Sequence, residues 1–138
     1  MIQRIQTLWL LLAAIFAAVT FRFPFFTGET MVENLAATVD LNAQTTIWLT
    51  IITVLTGAVA FVNIFLFDNR KLQLKLCYLG IFLTVILLVM YFLAMTDFTK
   101  GSIALWCLFH FGILAFYILA ARGIWKDEKL IKDMDRLR

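Results

Sequence analysis

The sequence predicts an all-α membrane protein, a four-helix transmembrane bundle with both termini in the cytoplasm and a C-terminal cytoplasmic amphipathic helix. Three observations predict it. Hydrophobic residues make up 63% of the chain against 15% charged, a balance outside that of soluble domains. Four long apolar stretches interrupt the polar segments, and Lys and Arg gather on alternate sides of them. With one proline and six glycines in 138 residues, no linker or low-complexity segment divides the chain. Residues 1–138 are read as a single transmembrane domain.

A bilayer's hydrocarbon core is roughly 30 Å thick and a helix rises about 1.5 Å per residue, so a crossing takes about 20 apolar residues. Residues 5–21, 47–67, 76–95 and 103–121 qualify, and their continuous apolar runs lack the period-2 alternation of a barrel strand. The first stretch has the basic start and small residues of a signal peptide. It runs on into Phe21, Phe23, Phe25 and Phe26, however, and its removal would put the basic loop after the second span on the wrong side. It is read as an uncleaved span. Orientation follows from ten of the twelve Lys and Arg, which fall at Arg4, at Arg70, Lys71 and Lys75, and from Arg122 onward, leaving only Arg22 and Lys100 outside.

The connections are short except for the outer loop 22–46, which opens Arg22-Phe23-Pro24-Phe25-Phe26. Pro24 ends the first helix, and the phenylalanines are placed in the headgroup layer. Met31, Leu35 and Val39 recur every four residues, yet periodicity does not separate a short surface helix from a strand pair here. An ordinary loop lying over the bundle is the expectation. The tight inner connection Asp68-Asn69-Arg70-Lys71 makes the second and third helices antiparallel neighbours, and residues 96–102 do the same for the third and fourth. In the tail 122–138, Leu130, Ile131, Met134 and Leu137 share one helical face and Glu128 pairs with Lys132 at i,i+4, which describes an amphipathic helix for the inner headgroup surface or for a cytoplasmic partner.

Each span carries a stripe of small and polar residues expected to face inward: Thr7, Leu11, Ala14 and Ala18; Thr46, Thr50, Thr53, Gly57 and Ala60; Cys77, Gly80, Thr84, Leu87 and Tyr91; Cys107, His110, Leu114, Tyr117 and Ala121. Small residues let membrane helices approach closely, and hydroxyls are expected to bond across the contact. Counting from the outer ends brings Thr53, Tyr91, Cys107 and His110 to one depth, roughly 6 to 10 Å below the interface. This is the candidate intramembrane cluster. An ionisable residue in a membrane marks a function by default, whereas a neutral histidine donating to a tyrosine or threonine is an ordinary structural bond, the reading favoured here. Asn63 and Tyr117 form a second inward pair toward the cytoplasmic side.

Several chemistries are excluded. Cys77 and Cys107 lie about 20 Å apart in depth, beyond the roughly 7 Å that a disulfide allows between Cα atoms, and no C-x-x-C occurs for thiol redox work. One histidine cannot supply the paired axial ligands of a membrane cytochrome. Metal-ligand sets, a Ser/His/Asp triad and a phosphate-cradling glycine loop are all missing from the sequence. None of the nine acids falls within a span, which disfavours proton-coupled export. No cofactor, catalytic residue or metal ligand is assigned, and a net charge of +3 is weak evidence for a nucleic-acid partner, its positives being explained by topology; none is expected.

Three cytoplasmic motifs remain: Gln3, Arg4 and Gln6 at the start, Asp68, Asn69 and Arg70 in the inner loop, and Asp127, Glu128, Asp135 and Arg136 in the tail. Together they resemble the family of domain of unknown function 4293, small four-span membrane proteins of Bacteroidota, over essentially the whole chain. The resemblance implies a bacterial inner-membrane protein without an assigned activity. The motif residues form a candidate interaction face. The expected role is a non-enzymatic accessory or scaffold subunit with a protein partner in the inner membrane; the alternative is a small-molecule or lipid-binding protein or carrier using Tyr91 and His110.

Overall fold

The computed structural model describes residues 2–32, 35–66 and 68–137, with side chains left out of description at 2–4, 31–32 and 35–36. In chain order it has helix α1 (Ile2–Val19), strands β1 (Phe26–Val32) and β2 (Leu35–Leu41), helices α2 (Ile47–Phe65) and α3 (Arg70–Met95), strand β3 (Lys100–Ile103), a 3-10 turn at Leu105–Cys107, and helix α4 (Leu108–Arg136). The helices run up and down, and each packs against the next, α1 closing the ring on α4. The α2–α3 connection, the start of α1 and the end of α4 therefore lie at one end. The other two connections lie at the opposite end, where they meet in a sheet.

That sheet corrects the all-α expectation and the ordinary-loop reading of 22–46. Its order is β2-β1-β3, with β1 antiparallel to both neighbours. In β2 the chain alternates Ala37, Val39 and Leu41 with Thr38 and Asp40, the period-2 pattern of a strand with one covered face. The every-four spacing of Met31, Leu35 and Val39 does not mark one face: Met31 lies in β1 opposite Ala36, whereas Leu35 and Val39 lie in β2. Glu33 and Asn34 between the strands lie outside the described residues. Gly28 faces Gly101 in register, and the ring of Phe26 lies across both, where any Cβ would collide with it.

The chain leaves α1 two residues earlier than predicted. Phe23 N–H still bonds Val19 carbonyl at 3.2 Å, and Pro24 then turns the chain toward β1. At the far end α4 runs unbroken from Leu108 to Arg136, so the tail is the second half of the fourth helix rather than a separate one. Phe67 and Arg138 lie outside the described residues. Residues 47–65, 70–95 and 105–136 are long and apolar enough to cross a membrane, while the apolar helix Ile5–Val19 is shorter. Large apolar side chains such as Ile51, Phe61, Phe82, Val89, Phe111 and Leu119 point away from the core. A surface of this kind suits lipid rather than water.

Two packed clusters hold the helices together. Leu10, Ala13, Ala17, Ala60, Cys77, Ile113, Tyr117 and Ile124 fill the middle and the open end; Phe25, Phe26, Leu41, Leu49, Leu87 and Tyr91 fill the sheet end. The α3 stripe faces inward as predicted, every one of Cys77, Gly80, Thr84, Leu87 and Tyr91 being buried. The α1 stripe does not. Gln6, Leu10, Ala13, Ala17 and Thr20 are buried, one residue out of phase with the prediction, and Leu11 and Ala18 are exposed. In α2 and α4 the predicted stripes are right in part: Thr53, Ala60, His110, Tyr117 and Ala121 are buried, whereas Thr46 is exposed.

Candidate functional site

The sheet positions the first candidate site. Phe25, at the entrance to β1, is fixed on both sides of its peptide, its N–H donating to Leu41 carbonyl at 2.7 Å and its carbonyl accepting from Ala104 N–H at 3.1 Å. Held this way, the side chain drops into the helices instead of the headgroup layer and is 1% exposed. It stacks on Tyr91 with ring centroids 4.6 Å apart and meets the edge of His110 at 5.0 Å. Tyr91 and His110 in turn meet at 4.5 Å and 78°. Edge-to-face and offset-stacked contacts are the favoured arrangements of aromatic rings.

Tyr91 and His110 thus come together as the sequence predicted, with Phe25 as the member it missed. The predicted donor bond does not form. Tyr91 hydroxyl and both His110 ring nitrogens are buried without a hydrogen-bond partner, although buried polar atoms are paired in the great majority of cases. The other two predicted members stand apart chemically. Thr53 is buried but donates to Leu49 carbonyl in its own helix at 2.7 Å, and Cys107, half-buried, packs on the rim of the sheet-end cluster. Both cysteines are free thiols.

Hydroxyls elsewhere follow Thr53. Thr56 and Thr84 bond back to carbonyls four residues earlier, at 2.7 Å each, the usual recourse of threonine within a helix. Tyr117 crosses between helices, donating to Thr56 carbonyl at 2.6 Å from a position directly against Gly80. Its predicted partner Asn63 instead donates to Cys77 Sγ at 3.1 Å and receives Gln73 Nε2 at its backbone carbonyl at 3.2 Å.

At the open end, the candidate interaction face divides. Gln6 and Asp127 are buried, and Gln6 Nε2 donates to Asp127 Oδ2 at 2.6 Å. They tie α1 to α4 and are not available to a partner. This approach is possible because Gly123 lies against Gln6 Cγ, where a Cβ would come within 2.9 Å. Five of the remaining described members converge: Asp68, Asn69, Arg70, Glu128 and Asp135 line one open groove of about 460 Å³ with Lys132, which bridges to Glu128 at 3.1 Å, while Arg136 is exposed outside that lining. The side chains of Gln3 and Arg4 lie outside the described residues. Among the described residues, no group of three or more His, Cys, Asp and Glu could hold a metal ion.

Neither a curated protein nor a solved structure matches this chain. A family model does, that of a domain of unknown function (DUF4293), over residues 2–137. With the match extending over nearly the whole chain, the protein belongs to the DUF4293 family.

Proposed function

We propose that the protein spans the bacterial inner membrane four times with both termini in the cytoplasm, and serves as a non-enzymatic accessory or scaffold subunit of a larger membrane assembly. The orientation rests on the gathering of Lys and Arg at the end away from the sheet. The subunit role rests on one observation above all. Beyond the bundle, α4 continues with Leu130, Ile131, Met134 and Leu137 exposed on its surface, Leu137 at 90% and Met134 at 63%, beside the charged groove at Asp68 and Arg70. An apolar stripe rimmed by polar groups is the form of a helix that docks on a partner.

Affinity purification of the full chain in several mild detergents tests this reading, with Leu130→Ser/Met134→Ser as the matched variant. A partner should be recovered in fixed ratio with the unaltered chain and lost with the variant. Recovery only as a monomer or homo-oligomer across the detergents would overturn it.

A second reading, a carrier or small-molecule-binding protein, is favoured by the three unpaired polar atoms of Tyr91 and His110. Such atoms are the ones a polar ligand would satisfy. Native mass spectrometry should then find a ligand that disappears with Tyr91→Phe or His110→Ala at normal accumulation. Unaltered behaviour of His110→Gln in every assay sinks it.

A further inference from the structure

We infer that the cationic face of α4 at the basic end, with the α3–α4 furrow that adjoins it, is a binding site for an anionic phospholipid. Two adjoining grooves, sharing Arg122 and Trp125, form it. One, about 690 Å³, is walled by Arg122, Trp125, Lys126 and Lys129 on successive turns of α4, with Asp133 as its one carboxylate. The other, about 240 Å³, continues toward the sheet end between Tyr78 and Ile81 of α3 and Ile118 and Ala121 of α4. A cationic lip above an apolar furrow matches a phosphate headgroup above an acyl chain.

The depth fits. From Trp106 at the sheet end to Trp125 is about 28 Å along the helix, close to the roughly 30 Å thickness of a bilayer's hydrocarbon. Half-exposed tryptophans at both levels, 42% and 55%, mark the two interfaces. Arg122, Lys126 and Lys129 therefore stand at the headgroup layer, where basic side chains on the cytoplasmic side attract anionic lipids. Among the described residues the one ion pair is that of Lys132 with Glu128, so no ion pair among those residues engages these three cations. Lys129 rests only over the Trp125 ring, 5.8 Å from its centroid. The charge favours an anionic over a zwitterionic headgroup, and the adjoining furrow favours a lipid over free phosphate.

This inference depends on the membrane-spanning reading but not on the subunit role. The test uses the purified full chain in mild detergent, titrated with dioleoylphosphatidylglycerol and dioleoylphosphatidylcholine and read by native mass spectrometry. Phosphatidylglycerol should be retained preferentially. Each of Arg122→Gln, Lys126→Gln and Lys129→Gln should lower the preference about fivefold, while the charge-matched Lys71→Gln and Lys75→Gln leave it intact. Equal retention of both lipids, or equal losses from the control variants, would overturn the site while the chain remains in the membrane fraction. Displacement by millimolar inorganic phosphate would overturn the lipid as occupant. A chain that stays in solution without detergent would remove both this inference and the membrane reading.

Discussion

Two buried tyrosines differ at a single atom's surroundings, and the difference is measurable. Tyr117 hydroxyl donates to Thr56 carbonyl, whereas Tyr91 hydroxyl has no partner. A net hydrogen bond contributes about 1 kcal/mol, and a buried polar atom left unpaired costs about 1–3 kcal/mol. Tyr117→Phe should therefore lower stability by about 1 kcal/mol and Tyr91→Phe leave it unchanged or raise it, as read from thermal unfolding in detergent. Equal losses would show that Tyr91 is paired. Gln6→Leu is the harsher change, because it strips the buried Asp127 of its donor. Bonds to charged groups are worth about 1.5–3 kcal/mol, and a loss in that range is expected, with Asp127→Asn/Gln6→Leu recovering part of it. The meeting of Tyr91 and His110 was legible from helical spacing alone. Phe25 was not, since a residue outside any span carries no depth until its backbone partners, Leu41 and Ala104, are known. Gln6 and Asp127 were legible as residues of interest but not as each other's partners, being 121 positions apart.

Among the elements, α3 shows why some faces could be phased from sequence and others not. Its small and polar residues Cys77, Gly80 and Thr84 fall on a single line, and that line is buried. In α1, Ala13, Ala14, Ala17 and Ala18 offer two lines equally, and an apolar residue on either side is acceptable when the surroundings are lipid. Gln6 and Thr20, both polar and both on the buried line, were the available clue. The sheet was obscured for another reason, that β1 and β3 pair across 70 or more residues and leave no local signature on a four-residue strand. The close approach of α3 and α4 rests on Gly80, against which the Tyr117 ring lies directly. Gly80→Val should force the helices apart at about 1–3 kcal/mol, the range for overpacking a filled core. A Gly80→Val protein that melts with the unaltered chain would show that this contact is loose.

At the scale of the molecule, membrane orientation is the property most open to direct measurement. Single cysteines introduced at Ser102 in the sheet and at Lys132 on α4, in a background of Cys77→Ala/Cys107→Ala, should label from opposite sides of intact cells, Ser102 with impermeant maleimide and Lys132 only after permeabilisation. Labelling of both from one side would refute the four-span arrangement. The sheet also fixes the order of events during synthesis. Strand β1 and its partner β2 are adjacent in the chain, but the partner of its second edge is not made until residues 100–103, after α2 and α3. The nascent chain thus carries an unfilled strand edge, and the fourth helix cannot take its place without delivering the strand that fills it. Completion of the sheet and closure of the helical ring both wait on the last part of the chain, and a chain truncated before residue 100 would lack the strand that covers the second edge of β1, an exposed edge of the kind that invites aggregation.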